Sequence, residues 1–288
     1  MERTPLSPVL ARAAARLAAA GVASARSDAE LLAAHVLGIG RGRLVLVDTL
    51  RAAEVHRLDE LVARRAERVP LQHLLGTAPF RHLELAVGEG VFIPRPETEL
   101  LAGWGVERAA QAGPAPVVVD LCSGTGAIAL AVAHEVPSAR VVAVERSAAA
   151  LPWLRRNAAA RAAAGDPPVE VLPGDVTDPR LLADRHASVD VVLCNPPYVP
   201  VGTEVPAEVA RHDPAEAVFA AEGGLAVIRP VIGLAAALLR PGGTVGIEHD
   251  DVHGAAVPEL LLADGRFADV AGHPDLSGRP RFATARRR

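Results

Sequence analysis

The feature that most constrains this chain lies in its second half, where short apolar runs alternate with helical stretches. The runs fall at 117–121, 141–144, 169–172, 189–194, 244–248 and 267–271. Helix-patterned segments lie between them at 127–134, 148–162, 224–239 and 252–263. A run such as Val117-Val118-Val119 carries no polar alternate, so a strand there must be covered on both faces. Continuous apolar strands separated by helices specify an α/β fold with a parallel or mostly parallel sheet between two helical layers. With 288 residues, half of them hydrophobic, the chain can bury such a core.

The N-terminal part reads differently. Apolar residues at 6–20 and 27–37 recur at helical spacing, with Ser27 or Asp28 as an N-cap and Gly38 as a stop. Residues 54–68 form a third, more charged helix ending before Pro70, and no strand pattern occurs. After Pro70, short alternating runs around Gly76, Gly88 and Gly90 suggest a β-hairpin. Ile93-Pro94-Arg95-Pro96-Glu97-Thr98-Glu99 then leads into a helix, with Pro96 near its first turn. The expected organisation is a helical domain at 1–70, a hairpin connector at 71–92 and the α/β domain at 93–288.

A net charge of −4 gives no electrostatic footprint for wholesale phosphate binding. Two cysteines, Cys122 and Cys194, cannot form a disulfide framework. The N-terminus lacks the apolar core of a signal peptide, and no apolar run reaches the ~20 residues that span a bilayer. The expectation is a reduced, cytoplasmic protein with no membrane association. Arg286-Arg287-Arg288 reads as a solvated, frayed end, because three charges are too few for a patch.

The sharpest local signal is Asp120-Leu121-Cys122-Ser123-Gly124-Thr125-Gly126, directly after a strand and before a helix. Glycines let backbone turn tightly and approach a ligand, and the helix N-terminus offers free N–H groups. Glu145 closes the next strand, where a carboxylate can accept hydrogen bonds from two ribose hydroxyls. The spacing departs from the dinucleotide pattern G-x-G-x-x-G, since Cys122 and Ala129 occupy glycine positions. It resembles the E/D-x-G-x-G-x-G loop of methyltransferases, with Cys122 where the first glycine usually falls. Cys122 reads as a small packed residue rather than a nucleophile, since no His partner is near in sequence. After the third strand, Asp175 is placed to reach an adenine amino group or simply to close an Asx turn, and Val176 to lie against the adenine ring.

Cys194-Asn195-Pro196-Pro197-Tyr198 ends the fourth apolar strand. The two prolines fix their own φ and stiffen the loop that presents Asn195 and Tyr198. A planar amide or aryl-amino nitrogen is a poor nucleophile because its lone pair is delocalised. Two acceptors aimed at its hydrogens, the Asn195 side-chain carbonyl and the Pro196 backbone carbonyl, can hold it and strengthen as it becomes positive. Tyr198 can stack on the flat group and exclude water. Catalysis of this kind is positioning plus differential electrostatics and needs no strong base and no metal. The motif alone leaves an amide nitrogen and a base amino group both open.

With both motifs in hand, the chain resembles the release factor glutamine methyltransferases, the HemK/PrmC family. The resemblance extends to Pro70-Leu71-Gln72-His73-Leu74-Leu75-Gly76 and Phe80, to residues 93–99, to Asp28-Ala29-Glu30-Leu31-Leu32 and to His35-Val36-Leu37-Gly38. Asp213-Pro214, Ala217-Val218, Gly223-Gly224-Leu225 and Gly246-Ile247-Glu248-His249 also fit. It implies a Rossmann-like, mostly parallel seven-stranded sheet with a small N-terminal helical domain. It implies S-adenosylmethionine as donor, held by Cys122, Ser123, Gly124, Thr125, Gly126, Glu145, Asp175, Val176 and Asn195. The implied acceptor is the glutamine of the Gly-Gly-Gln loop of bacterial class I release factors, held by Asn195, Pro196, Pro197 and Tyr198. Asn195, Pro196 and Tyr198 are the expected catalytic residues, and Arg95 and Glu97 are expected to orient neighbouring loops. The chain is expected to act as a monomer without direct nucleic-acid binding. Two enzymatic rivals remain: a nucleic-acid amino-methyltransferase, which would need a basic, aromatic-interleaved surface to hold a flipped base, and a nicotinamide-dependent oxidoreductase, which leaves the Asn-Pro-Pro-Tyr run unexplained. A non-catalytic binding module is the third, against intact donor and acceptor motifs.

Overall fold

The computed structural model describes residues 3–288, which fall into two compact units. The first runs to Thr77 and also takes in Val205–His212; the second holds Ala78–Glu204 and Asp213–Arg288.

The first unit is built on helices α1 (Leu6–Ala19), α2 (Ala25–Leu37) and α3 (Ala52–Ala66). Their apolar stripes close around Leu17, Leu32, Leu50 and Leu58. Helix α2 starts earlier than the sequence suggests: its N-cap is Ser24, so Ser27 and Asp28 lie inside it. Asp28 is drawn inward instead. Its carboxylate accepts from Arg65 Nε on α3 at 2.8 Å and from Ser24 Oγ at 2.7 Å. Gly38 does end the helix, in the left-handed conformation at φ 65°. Two three-residue strands, Arg3–Pro5 and Thr49–Arg51, pair antiparallel and are too short to show alternation in the sequence. Glu208, from Val205–His212, accepts from Arg65 at 3.0 Å and from Arg68 at 2.7 Å. Downstream, the expected hairpin region opens with a helical turn, Leu71–Leu75, closed by left-handed Gly76 at φ 76°. The paired strands proper are Thr77–Phe80 and Leu83–Ala86.

The second unit carries a seven-stranded sheet: β1 (Val117–Leu121), β2 (Arg140–Glu145), β3 (Glu170–Pro173), β4 (Val189–Cys194), β5 (Leu239–Glu248), β6 (Phe267–Pro274) and β7 (Pro280–Arg287). Their order across the sheet is β6-β7-β5-β4-β1-β2-β3. Strands β1 to β5 pair parallel, while β7 runs antiparallel between β5 and β6. Helices α4 (Thr98–Gln111), α5 (Ala127–Glu135) and α6 (Leu151–Ala163) contribute to one core, and α7 (Ile228–Leu238) and α8 (Ala256–Ala263) to the other. Every residue from Ala127 to Ala133 of α5 is buried, which explains why that helix is apolar all round.

Strand β7 reverses the expectation for the C-terminus. Arg286 and Arg287 belong to β7, opposite Ala268 and Phe267 of β6. Arg287 Nε donates to the Ala236 carbonyl at 3.0 Å, Arg288 Nε donates to the Phe267 carbonyl at 2.8 Å, and Arg286 pairs with Asp269. The arginines are tied by the backbone they border rather than frayed. No helix among the described residues is long and apolar enough to cross a membrane.

Candidate active site

The strand order reverses between β1 and β4, and ligands of open α/β sheets bind beyond the carboxyl ends of strands at such a point. Leu121 of β1 sits opposite Cys194 of β4. The glycine turn and the Asn-Pro-Pro-Tyr run, far apart in sequence, therefore leave the sheet side by side.

The turn after β1 is held from several directions. Ser123 N donates to the Val144 carbonyl at 2.9 Å, and Ser123 Oγ to the Asp120 carbonyl at 2.9 Å. Cys122 adopts φ 59°, the left-handed conformation that its usual glycine takes freely. Gly126, at φ 87°, is required for space as well: a Cβ there would stand 2.6 Å from Leu154 Cδ1. Asn157 on α6, buried and not singled out by the sequence, clamps the turn. Its Nδ2 donates to the Thr125 and Ala86 carbonyls at 3.0 Å each, and its Oδ1 accepts from Ala86 N at 2.8 Å.

Glu145 ends β2 as expected. Its two oxygens accept from Gly124 N and Ser147 N at 2.7 Å each, so the carboxylate is fixed in direction. Each oxygen keeps a second lone pair for a hydroxyl donor. Beside it opens a cleft of about 760 Å³ lined by Arg146, Ser147, Pro173, Gly174, Asp175 and Glu216, among others. Asp175 closes an Asx turn through Thr177 N at 2.9 Å, and that bond holds its carboxyl below the usual range. The turn and a place on the cleft coexist in this residue. Val176 is mostly buried and belongs to the same hydrophobic core as Leu121 and Val144. The space on the Cβ side of Gly124 is open. The cleft, the fixed carboxylate and the open turn fit a nucleoside-bearing donor.

Asn195 and Tyr198 are held from behind. Asn195 Nδ2 donates to Thr98 Oγ1 at 3.1 Å, a contact between the Asn-Pro-Pro-Tyr run and the first residue of α4. Tyr198 donates its hydroxyl to Glu248 Oε1 at 3.0 Å. Burial, with the Glu248 charge, pushes the Tyr198 phenol well up. Glu248, at the end of β5, is 1% exposed, and burial raises its carboxyl to about 7. Gly224 supports the same loop, because a Cβ there would overlap the Tyr198 carbonyl oxygen. Arg95 forms an ion pair with the buried Asp213 carboxylate and lies over the Phe92 ring at 4.8 Å. Burial, and then the neighbouring Cys122 thiol, push the Cys194 thiol well up, so it stays protonated. Neither Thr98 nor Glu248 was marked as a site residue by the sequence.

Residues 108–230 match the methyltransferase small domain. The T. thermophilus 16S rRNA N2 methyltransferase, solved in complex with AdoMet and guanosine, superposes with a TM-score of 0.51 at 25% identity, covering 74% of this chain and 50% of its own. This sheet, with the glycine turn and Asn-Pro-Pro-Tyr at its switch point, defines an S-adenosylmethionine-dependent methyltransferase. Residues 8–76 match the PrmC N-terminal domain. The release factor glutamine methyltransferase of Mycolicibacterium smegmatis is 54% identical over 99% of this chain and 98% of its own. That of Streptomyces coelicolor is 48% identical over 96% of each. A Streptomyces pristinaespiralis enzyme named 4-amino-L-phenylalanine/4-methylamino-L-phenylalanine methyltransferase is 38% identical over 93% of this chain and 91% of its own. The chain belongs to the release factor glutamine methyltransferase family.

Proposed function

We propose that this enzyme transfers a methyl group to the side-chain amide nitrogen of the glutamine in the Gly-Gly-Gln loop of bacterial class I release factors. The observation that carries the reading is the orientation of Asn195. Its Nδ2 is engaged by Thr98, which leaves Oδ1 as the acceptor for a substrate N–H. With the Pro196 carbonyl it can take both hydrogens of a primary amide and hold the nitrogen in line with the donor. These contacts strengthen as positive charge builds on nitrogen, so they favour the transition state over the ground state. S-adenosylmethionine supplies the methyl group and, through its sulfonium leaving group, the driving force. A carbon–nitrogen bond forms, the carbon–sulfur bond breaks to leave the neutral thioether, and the nitrogen gives up one proton to water.

For the donor, Glu145 is assigned the ribose hydroxyls and Asp175 and Val176 the adenine. Cys122, Ser123, Gly124, Thr125 and Gly126 pass along its methionine portion, with Asn195 near the sulfonium. Pro197 and Tyr198 wall the acceptor glutamine. The first unit is assigned the docking of the release factor. We take the enzyme to be a cytoplasmic monomer that needs no metal and binds no nucleic acid directly.

The test is incubation of the enzyme with labelled donor and, in parallel, a class I release factor, ribosomal RNA and 4-aminophenylalanine. Label in the release factor supports the reading. Label confined to nucleic acid or to the free amino acid refutes it.

A further inference from the structure

Asn195 and Tyr198 lie at the two ends of the acceptor motif, and both lead back to one carboxylate. Tyr198 donates directly to Glu248 Oε1 at 3.0 Å. Thr98 Oγ1 accepts from Asn195 Nδ2 at 3.1 Å, and the Thr98 hydroxyl faces the Glu248 carboxylate, where it favours the ionised form. Glu248 Oε2 is buried and makes no direct hydrogen bond. An ionised carboxylate can only accept. Tyr198 is therefore the donor of the bond to Glu248, and that bond is strongest while the carboxylate is charged.

We propose that Glu248 is a positioning residue for methyl transfer: its buried carboxylate accepts from the Tyr198 hydroxyl and anchors the ring that walls the acceptor glutamine. The proposal rests on the assignment of Asn195 and Tyr198 to the acceptor site. The same residue type could not be exchanged for its amide. A glutamine there carries no charge and offers an N–H as readily as a carbonyl, so it neither titrates nor fixes the direction of the Tyr198 bond.

The charged and titratable groups facing Glu248 are few. Tyr198 is pushed well up, as is the Cys194 thiol. Arg281 on β7 is cationic and raised further by Tyr198 and Asp275. His249, next along β5, is lowered by burial. Glu97, before α4, is the remaining charged neighbour. With its own carboxyl at about 7, Glu248 is the group whose ionisation switches the network on as pH rises.

Two readouts test this. Tyr198 is the single tyrosine of the chain, so carbon-13 labelling of tyrosine Cζ gives one resonance, and its titration needs no substrate. The resonance should shift with a midpoint of about 7, and Glu248→Gln should abolish that inflection. In parallel, kcat for release-factor methylation should rise through the same midpoint. Glu248→Gln should lower kcat on the order of 10- to 100-fold, the range typical of groups that orient the ligands of a catalytic site, and leave donor affinity within about twofold. Thr98→Ser should retain turnover and Thr98→Val should lose it. A tyrosine resonance flat in the wild type, or an inflection surviving in Glu248→Gln, overturns the proposal whatever the substrate. Near-normal kcat in Glu248→Gln also overturns it. A wild type that titrates as expected yet methylates no release factor would instead defeat the substrate assignment.

Discussion

Asp120→Asn should stabilise the catalytic unit, and by more at high pH than at low. Asp120 is 1% exposed at the end of β1. Its Oδ2 accepts from Ala129 N at 3.2 Å, and Oδ1 is buried with no hydrogen bond. Burial raises its carboxyl from 3.8 to about 7, with the nearby Glu145 adding a smaller push in the same direction. The folded state thus holds this proton more tightly than the unfolded chain does. Below the unfolded value both states are neutral and no stability is lost. As pH rises toward 7 the unfolded chain releases its proton first, and stability falls until the folded carboxyl ionises too. A shift of about three units corresponds to about 4 kcal/mol as a ceiling. Asparagine has the same shape, can accept from Ala129 through its carbonyl, and never ionises. Its advantage over the wild type should therefore be larger at about pH 8.5 than at about pH 5.5, by about 2 kcal/mol. Trp104 and Trp153, the two tryptophans of the chain, both lie in the catalytic unit. Urea unfolding followed by their fluorescence therefore reports this unit. An advantage that is the same at both pH values, or that shrinks as pH rises, would refute the reasoning.

Three further outcomes are expected. Gly126→Ala combines left-handed backbone strain with the Leu154 overlap, so it should cost about 2–4 kcal/mol in unfolding experiments and weaken donor binding by calorimetry at least about tenfold. Asn195→Ala should lower kcat on the order of 100- to 1,000-fold, while the circular dichroism spectrum stays that of the wild type. Asp28→Ala removes the buried partner of Arg65 but leaves Glu208 in place. It should destabilise the first unit by about 2–3 kcal/mol, less than an ion pair broken with no remaining partner, as read by hydrogen exchange of α2 and α3.

Strands β1, β2, β4 and β5 were legible because buried parallel strands write themselves as largely apolar runs, while β3 and β6, at the two edges of the sheet, showed as shorter ones. Strand β7 was not: Pro280–Arg287 carries neither an unbroken apolar run nor a clean alternation, and only pairing with β5 and β6 makes it a strand. The start of α2 was misplaced for a similar reason, since Asp28 has cap chemistry but is drawn to Arg65, 37 residues away. The glycine turn and residues 195–198 stand out in the sequence because each is a contiguous motif. Thr98, Asn157 and Glu248 do not. The partner of Thr98 lies 97 positions away and that of Glu248 lies 50 away, so their roles exist only once the sheet brings them together.

The central claim is the identity of the acceptor atom. Tandem mass spectrometry of a class I release factor, after incubation with enzyme and S-adenosylmethionine, tests it most directly. The account predicts one added methyl group on the glutamine of the Gly-Gly-Gln loop, carried by its side-chain nitrogen, and none when that glutamine is replaced. Methylation at any other residue, or a release factor left unmodified by active enzyme, would contradict it.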